Sequence, residues 1–184
     1  MRFIIIFILF QYNANALNRV CFSPNDGLCS CEKNIVEMLD LSTKTADLGI
    51  YALNNKNITN AIVNATKRGV KIRAVYDRSQ STLSAPFLTQ LKDAGVECYY
   101  NHIHKIEHNK FIIIDNQIVM NGSFNFTETA EHKNSENCTV HDNINVVNAF
   151  SNRFEYLFDL YKKRYIINRD KKEKEKEQEI INDL

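Results

Sequence analysis

Apolar residues recur along this chain in two rhythms, one helical and one strand-like, and the rhythm changes repeatedly from end to end. Residues 20–22 read as a short strand, closed by a turn at Pro24-Asn25-Asp26-Gly27. Between 32 and 43, Ile35, Met38, Leu39 and Leu41 fall at helical spacing and predict an amphipathic helix with these residues inward. Residues 47–52 predict a strand. Ile58, Ala61, Ile62 and Ala65 restore helical spacing, with Gly69 where a helix C-cap belongs. Residues 70–76 alternate apolar and basic, as a strand does, and 79–84 read as a loop. Pro86 then opens a helix through Phe87, Leu88 and Leu91 that ends at Gly95, and a strand follows at 96–100. Two unbroken apolar runs, 111–114 and 118–120, suit strands buried on both faces, with Asp115-Asn116-Gln117 as a tight turn between them. After a last strand at 137–140, Val146, Val147, Phe150, Phe154, Leu157 and Phe158 mark a long closing helix. Strands alternating with helices predict an α/β fold: a layered mixed β-sheet flanked by helices.

The ends differ from the middle. From 162 the chain turns Lys- and Glu-rich, and 171–179 has almost no apolar residue, so the tail 162–184 reads as a solvated helix or a disordered segment. At the start, Met1-Arg2, an apolar run over 3–10 and Ala14-Asn15-Ala16 have the form of an export signal cleaved after Ala16. Eight apolar residues fall short of the roughly 20 that span a bilayer. The expected organisation is a signal peptide at 1–16, one folded domain at 17–161 and the charged tail. A chain of 184 residues is long enough for one real core.

Export places the protein in a secreted or periplasmic setting, which permits disulfides. Five cysteines leave one thiol over; Cys21 with Cys29, and Cys98 with Cys138, are candidate pairs. A zinc site from Cys29, Cys31, His102 and His104 competes with them, on a spacing that is not a standard one. Five Asn-x-Ser/Thr sequons occur, at Asn57, Asn64, Asn121, Asn125 and Asn137. Glycans at Asn121 and Asn125 would bury the chemical groups described next, which favours bacterial export over a eukaryotic secretory route. The formal charge is +1 and falls to zero without Arg2. Proteins that bind nucleic acid without sequence preference are usually basic, so the composition gives that class no support. Lys67, Arg68, Lys71 and Arg73 read as a solvated face.

The candidate chemistry lies around the apolar hairpin. If Asn116 and Gln117 form its loop, antiparallel pairing puts Lys110 opposite Ser123 and His108 opposite Asn125, on one face at the open end. Histidine can attack as a nucleophile or move a proton near neutral pH, and Lys110 offers a point charge to a phosphate oxygen. Ser123 and Asn125 add neutral donors, and Gly122 would let a substrate approach the backbone. An anion clamp around a nucleophile matches phosphoryl transfer, where catalysis is mostly positioning and charge stabilisation.

The spacing H-x-K-x4-D-x6-G-S-x-N over His108, Lys110, Asp115, Gly122, Ser123 and Asn125 resembles the signature of the phospholipase D superfamily, and Asn134-Ser135-Glu136-Asn137 resembles the N-x-E-N element that follows it. The likeness runs roughly from Val20 to Tyr161. One motif rather than two points to the small branch: secreted phospholipases D, periplasmic endonucleases and mitochondrial cardiolipin hydrolases. The resemblance implies that His108 attacks phosphorus and forms a covalent phosphohistidine, while a second histidine protonates the leaving oxygen and later activates water. With one motif per chain, that histidine comes from a second subunit, so a symmetric homodimer is expected. Lys110, Ser123 and Asn125 would hold the non-bridging oxygens. Glu136 would accept the ring N–H of His108, and Asp115 would order the structure from the turn. The scheme requires no metal and no cofactor. The leading substrate is phospholipid at a membrane surface; the alternatives are sequence-nonspecific cleavage of DNA or RNA, and a phosphate- or membrane-binding module without turnover.

Overall fold

The apolar hairpin forms the middle of the molecule. The computed structural model describes residues 18–24, 27 and 29–182; the expected leader and part of the turn at 24–27 lie outside the described residues. Strands β1 (Asn18–Ser23), β2 (Thr45–Ile50), β3 (Lys71–Tyr76), β4 (Glu97–Tyr100), β5 (Phe111–Ile114), β6 (Ile118–Gly122) and β7 (Glu136–His141) make one mixed sheet in the order β1-β7-β6-β5-β2-β3-β4. β2, β3 and β4 run parallel, and β5 joins β2 antiparallel. Five helices accompany them: α1 (Cys31–Leu41), α2 (Lys56–Lys67), α3 (Ser81–Asp93), α4 (Glu128–His132) and α5 (Ile144–Asn182).

The continuous apolar run of β5 has a simple cause. Ile112 and Ile114 face a core with Ile35, Leu39, Ile58, Ile62 and Leu91 of α1–α3, while Phe111 and Ile113 face a second core with Val147, Phe154, Leu157 and Tyr161 of α5. Successive side chains take opposite faces, so a strand covered on both sides is apolar throughout. Arg73 helps hold α5 in place: its guanidinium takes both oxygens of buried Asp47 at 2.7 and 2.8 Å, reaches Glu155, and lies 4.9 and 5.0 Å from the Phe154 and Phe158 rings. It is therefore not the solvated residue that its alternating strand suggests.

Helix starts follow capping chemistry. Ser30 Oγ accepts from Lys33 N at 3.1 Å to open α1, and Asn55 Oδ1 accepts from Ile58 N at 2.9 Å to open α2. Gly69 follows α2 with φ +94°, the left-handed residue that the sequence predicts. Two boundaries differ from expectation. α3 begins at Ser81, so Pro86 lies inside the helix and 81–84 is not a loop; Ser84 Oγ accepts Leu53 N at 3.0 Å and ties this turn to the backbone beyond β2. Leu41 is exposed, because α1 ends there and Leu39 fills the inward position. α5 runs unbroken across 161–162; its packed part ends near Tyr161 and the charged turns beyond it are mostly exposed.

Two expectations are corrected. Cys21 pairs with Cys29, but Cys138 pairs with Cys31 and Cys98 stays free. Cys138 on β7 sits beside Cys21 on β1, whereas β4 carries Cys98 five strands away, roughly 24 Å at the usual strand spacing. Both cysteines of the supposed zinc site are thus consumed. The hairpin register also moves by one. Asp115 and Asn116 both take positive φ (53° and 54°), Gln117 N donates to Ile114 O at 2.9 Å, and Ile114 pairs with Ile118. Asp and Asn tolerate this region, so they form the turn instead of Asn116 and Gln117.

Asp115 also accepts four hydrogen bonds, from the amides of Thr43, Lys44 and Thr45 and from Thr43 Oγ1, at 2.7–3.0 Å. Burial alone would raise its pKa; these donors outweigh it and hold the carboxyl below its ordinary value. A lowered folded-state pKa adds stability above the unfolded pKa, about 3.9, and loses it as pH falls through the folded value. Asp115→Asn should therefore destabilise by about 1–2 kcal/mol at pH 7, with the difference from wild type shrinking below pH 4. Urea unfolding at both pH values measures it.

Candidate active site

One edge of the sheet gathers the polar side chains. Parallel strands β2, β3 and β4 end in register at Ile50, Tyr76 and Tyr100, and each is followed by a residue with a polar side chain: Tyr51, Asp77 and Asn101. The carboxyl ends of parallel strands are where α/β sheets place ligands. The segment 101–110 returns from β4 to β5 across this edge and carries His108 and Lys110.

Buried polar groups fix that segment. Asn101 Oδ1 accepts the amides of Ile103 and His104, and its Nδ2 donates to His104 O at 2.8 Å. Asp77 accepts Glu107 N at 2.5 Å through one oxygen and Ser79 N at 2.8 Å through the other. Glu107 is only 3% exposed; it accepts from Asn109 N and Nδ2 and, at 2.7 Å, from the hydroxyl of Tyr161 on α5. Burial and this carboxylate push the Tyr161 phenol well above its ordinary pKa, so it stays a donor. Polar groups that a loop buries need such partners.

His108 stands outside this frame with its ring exposed, edge-on to Tyr51 at 4.4 Å between centroids. Neither ring nitrogen has a hydrogen bond among the described residues. Lys110 is buried; its ammonium donates to His108 O at 2.6 Å and lies 4.9 Å from the Tyr51 ring. Burial lowers its pKa, against the pull of Glu136 and Glu107. An ammonium has three donors, and one is spent here.

Ser123 and Glu136 meet across β6 and β7: Ser123 Oγ donates to Glu136 at 2.5 Å and accepts Asn137 N at 3.0 Å. Glu136 also accepts from Asn134 Nδ2 at 2.9 Å, so its partners are Ser123 and Asn134 instead of the expected His108 ring. Strand pairing stops at Phe111–Asn121, and His108 leaves the hairpin before it could face β7. The convergence of His108, Lys110, Ser123 and Glu136 thus comes from the sheet edge, not from opposition across the hairpin. Asn125 lies between buried Phe124 and Phe126, with its Oδ1 buried and without a hydrogen bond. A bridge from Phe126 to Leu53 sets this segment beside the one that carries Tyr51. Gly122 serves the fold: a Cβ there would meet Asn137 O at 2.2 Å, so the β7 backbone fills the space that the sequence assigns to substrate. Asp115 sits at the far end of β5 from Lys110, in the contacts with Thr43, Lys44 and Thr45 given above.

The sequence reading missed Tyr51, Asp77, Glu107 and Tyr161. A polar side chain directly after each parallel strand is the signal that would have found Tyr51 and Asp77. For metals, Glu32, Glu128 and His132 bring ligand atoms within 4.8 Å of one another, but none belongs to the His108 set, and Glu32 already accepts from Asn55 and Asn57.

A mixed α/β sheet with a His-x-Lys loop beside Ser, Asn and Glu at one edge defines a phosphate-handling class. A family profile described as "Cardiolipin synthase, PLD-like domain" matches residues 35–158, and the chain belongs to this phospholipase D-like family. It is 36% identical over 134 residues to a Rickettsia conorii protein named phospholipase D, covering 71% of this chain and 66% of that one. It is 28% identical to a Chlamydomonas reinhardtii protein named mitochondrial cardiolipin hydrolase, covering 69% and 57%. The matched part spans 57–66% of the length of these two curated relatives. Among solved structures it is similar to a phospholipase D family member, Nuc from Salmonella typhimurium, with TM-score 0.74 and 30% identity, covering 79% and 95%.

Tyr161→Phe leaves Glu107 short of one donor in a buried position, which should cost about 1–3 kcal/mol. Chemical denaturation gives the loss. Because Glu107 precedes His108, the variant should also lower turnover more than its stability loss explains at temperatures where it remains folded.

Proposed function

We propose that this chain is a phosphodiesterase hydrolase of the phospholipase D type that removes headgroups from phospholipids through a phosphohistidine on His108. The observation that carries the reading is an exposed His108 ring with both nitrogens unclaimed, next to a buried Lys110 with donors to spare. A ring nitrogen of His108 attacks phosphorus and the bond to the headgroup oxygen breaks. That oxygen takes a proton from the imidazolium of His108 in a second copy. Water then attacks the phosphohistidine, returns a proton to the second imidazole and releases phosphatidic acid. Lys110 and the side-chain amide of Asn125 hold the non-bridging oxygens, while Ser123, whose one hydroxyl hydrogen goes to Glu136, ties β6 to β7 beside them. Glu136 orients Ser123, and Asp115 acts at a distance by fixing the hairpin.

Phospholipid is favoured over nucleic acid by the zero net charge without Arg2 and by the similarity to proteins named phospholipase D. Four of the five cysteines pair, which suits an exported protein, secreted or periplasmic. A homodimer supplies the second histidine. The test is the purified chain with EDTA on phosphatidylcholine, cardiolipin, single-stranded DNA and RNA. Headgroup release that survives chelation supports the proposal; nucleic-acid cleavage without lipid product makes the protein a nuclease, and no turnover of any substrate makes it a binding module.

His108→Ala should lose activity by roughly three orders of magnitude or more while keeping its circular dichroism. Near-wild-type turnover would remove His108 from the chemistry. For the shared site, wild-type chains co-refolded with excess His108→Asn chains should lose activity per wild-type chain as the mutant fraction rises. Constant activity would mean independent sites.

A further inference from the structure

Segment 101–110 carries a second set of groups that the proposed reaction does not use. Asp77, Arg78, Ser79, Asn101, His102, His104 and Lys105 line a cavity of about 350 Å³ at the ends of β3 and β4. Its Asp77 is saturated by Ser79 and by the amide of Glu107, the residue before His108, so the cavity adjoins the candidate active site. Its cations are not saturated. Arg19, Arg73 and Arg169 are in ion pairs, Arg68 binds carbonyls of α1 and Arg153 lies over Tyr156. Arg78 and Lys105 have no such partner among the described residues. His102 Nε2 is buried without a hydrogen bond. Burial, together with Arg78, Arg164 and Lys172, holds the His102 pKa below its ordinary value, a sign of local positive charge.

The same rim exposes aliphatic side chains. Ile103 and Ile106 are 47% and 44% exposed in the segment itself. Asn101 holds the backbone of Ile103 and His104, so this display is fixed. We propose that this rim docks on a bilayer containing anionic phospholipid: a lipid phosphate enters the cavity against Arg78, His102 and Lys105, while Ile103 and Ile106 enter the headgroup layer and bring His108 to the surface. The proposal deepens the phospholipid reading and rests on it. Charge complementarity with exposed aliphatics selects this occupant. A polynucleotide would leave the isoleucines in water.

Co-sedimentation of the full chain with phosphatidylcholine vesicles, with and without phosphatidylglycerol, tests it. Wild type should bind vesicles with phosphatidylglycerol more tightly. Arg78→Ala/Lys105→Ala should remove roughly tenfold or more of that preference. Ile103→Ser/Ile106→Ser should weaken binding to both vesicle types by about tenfold, with the circular dichroism of wild type. Vesicle binding needs no turnover, so a protein that binds but releases no headgroup would refute the proposed reaction and leave the docking rim standing. The rim is refuted if wild type ignores vesicles, or if the variants bind like wild type. It is equally refuted if the isoleucine pair changes the oligomer mass while vesicle binding is unchanged, or if the cation pair lowers affinity only for single-stranded nucleic acid.

Discussion

The buried carboxylate of Glu107 is the tie on which the active edge depends. Its own amide is held by Asp77 after β3, while its oxygens hold Asn109 on one side and Tyr161 of α5 on the other. One residue thus joins the parallel half of the sheet, the segment carrying His108 and the covering helix. A buried carboxylate tolerates this position only because every partner is a donor; each lost donor exposes the full cost of its desolvation. The reward is precision, since His108 and Lys110 flank the tied residue by one and three positions, and transferring a phosphoryl group is chiefly a matter of placement.

The opposite end of the hairpin has a matching device. Asp115 turns the chain in the left-handed region and clamps the residues leading into β2. The hairpin is therefore fixed at its turn by one carboxylate and near its open end by another. Gly122 completes the arrangement by letting β7 close on β6, which brings Glu136 to Ser123. The two disulfides tie β1 to the residues just before α1, and α1 to β7, strengthening the antiparallel edge of the sheet.

Much of this was legible in the sequence because period and punctuation are local signals. All seven strands and the four longer helices left a mark, from the two-sided apolar run 111–114 to Gly69 after α2. The spacing of His108, Lys110, Ser123 and Asn125 pointed to the family that the profile match over 35–158 shows, although the hairpin opposition expected for them does not form. What escaped depends on information that no window contains. The register turned on whether Asp115 or Gln117 would take the left-handed turn, and contacts with Thr43–Thr45, some 70 residues away in sequence, favour Asp115. The Cys31–Cys138 pair needed the strand order. Glu107 reads as a surface residue until Asp77 and Tyr161 meet it in space, and Pro86 reads as a helix start although Ser84 anchors the turn before it.

The central claim is that the exposed ring of His108 is the group that becomes bonded to phosphorus. Rapid mixing with phospholipid, followed by an alkaline quench that preserves phosphohistidine and by peptide mass spectrometry, tests it directly. The account predicts a phosphatidyl adduct on the peptide containing His108, appearing before product and decaying as phosphatidic acid accumulates. An adduct on any other residue, or product formed with no adduct on His108 at any time, would contradict it.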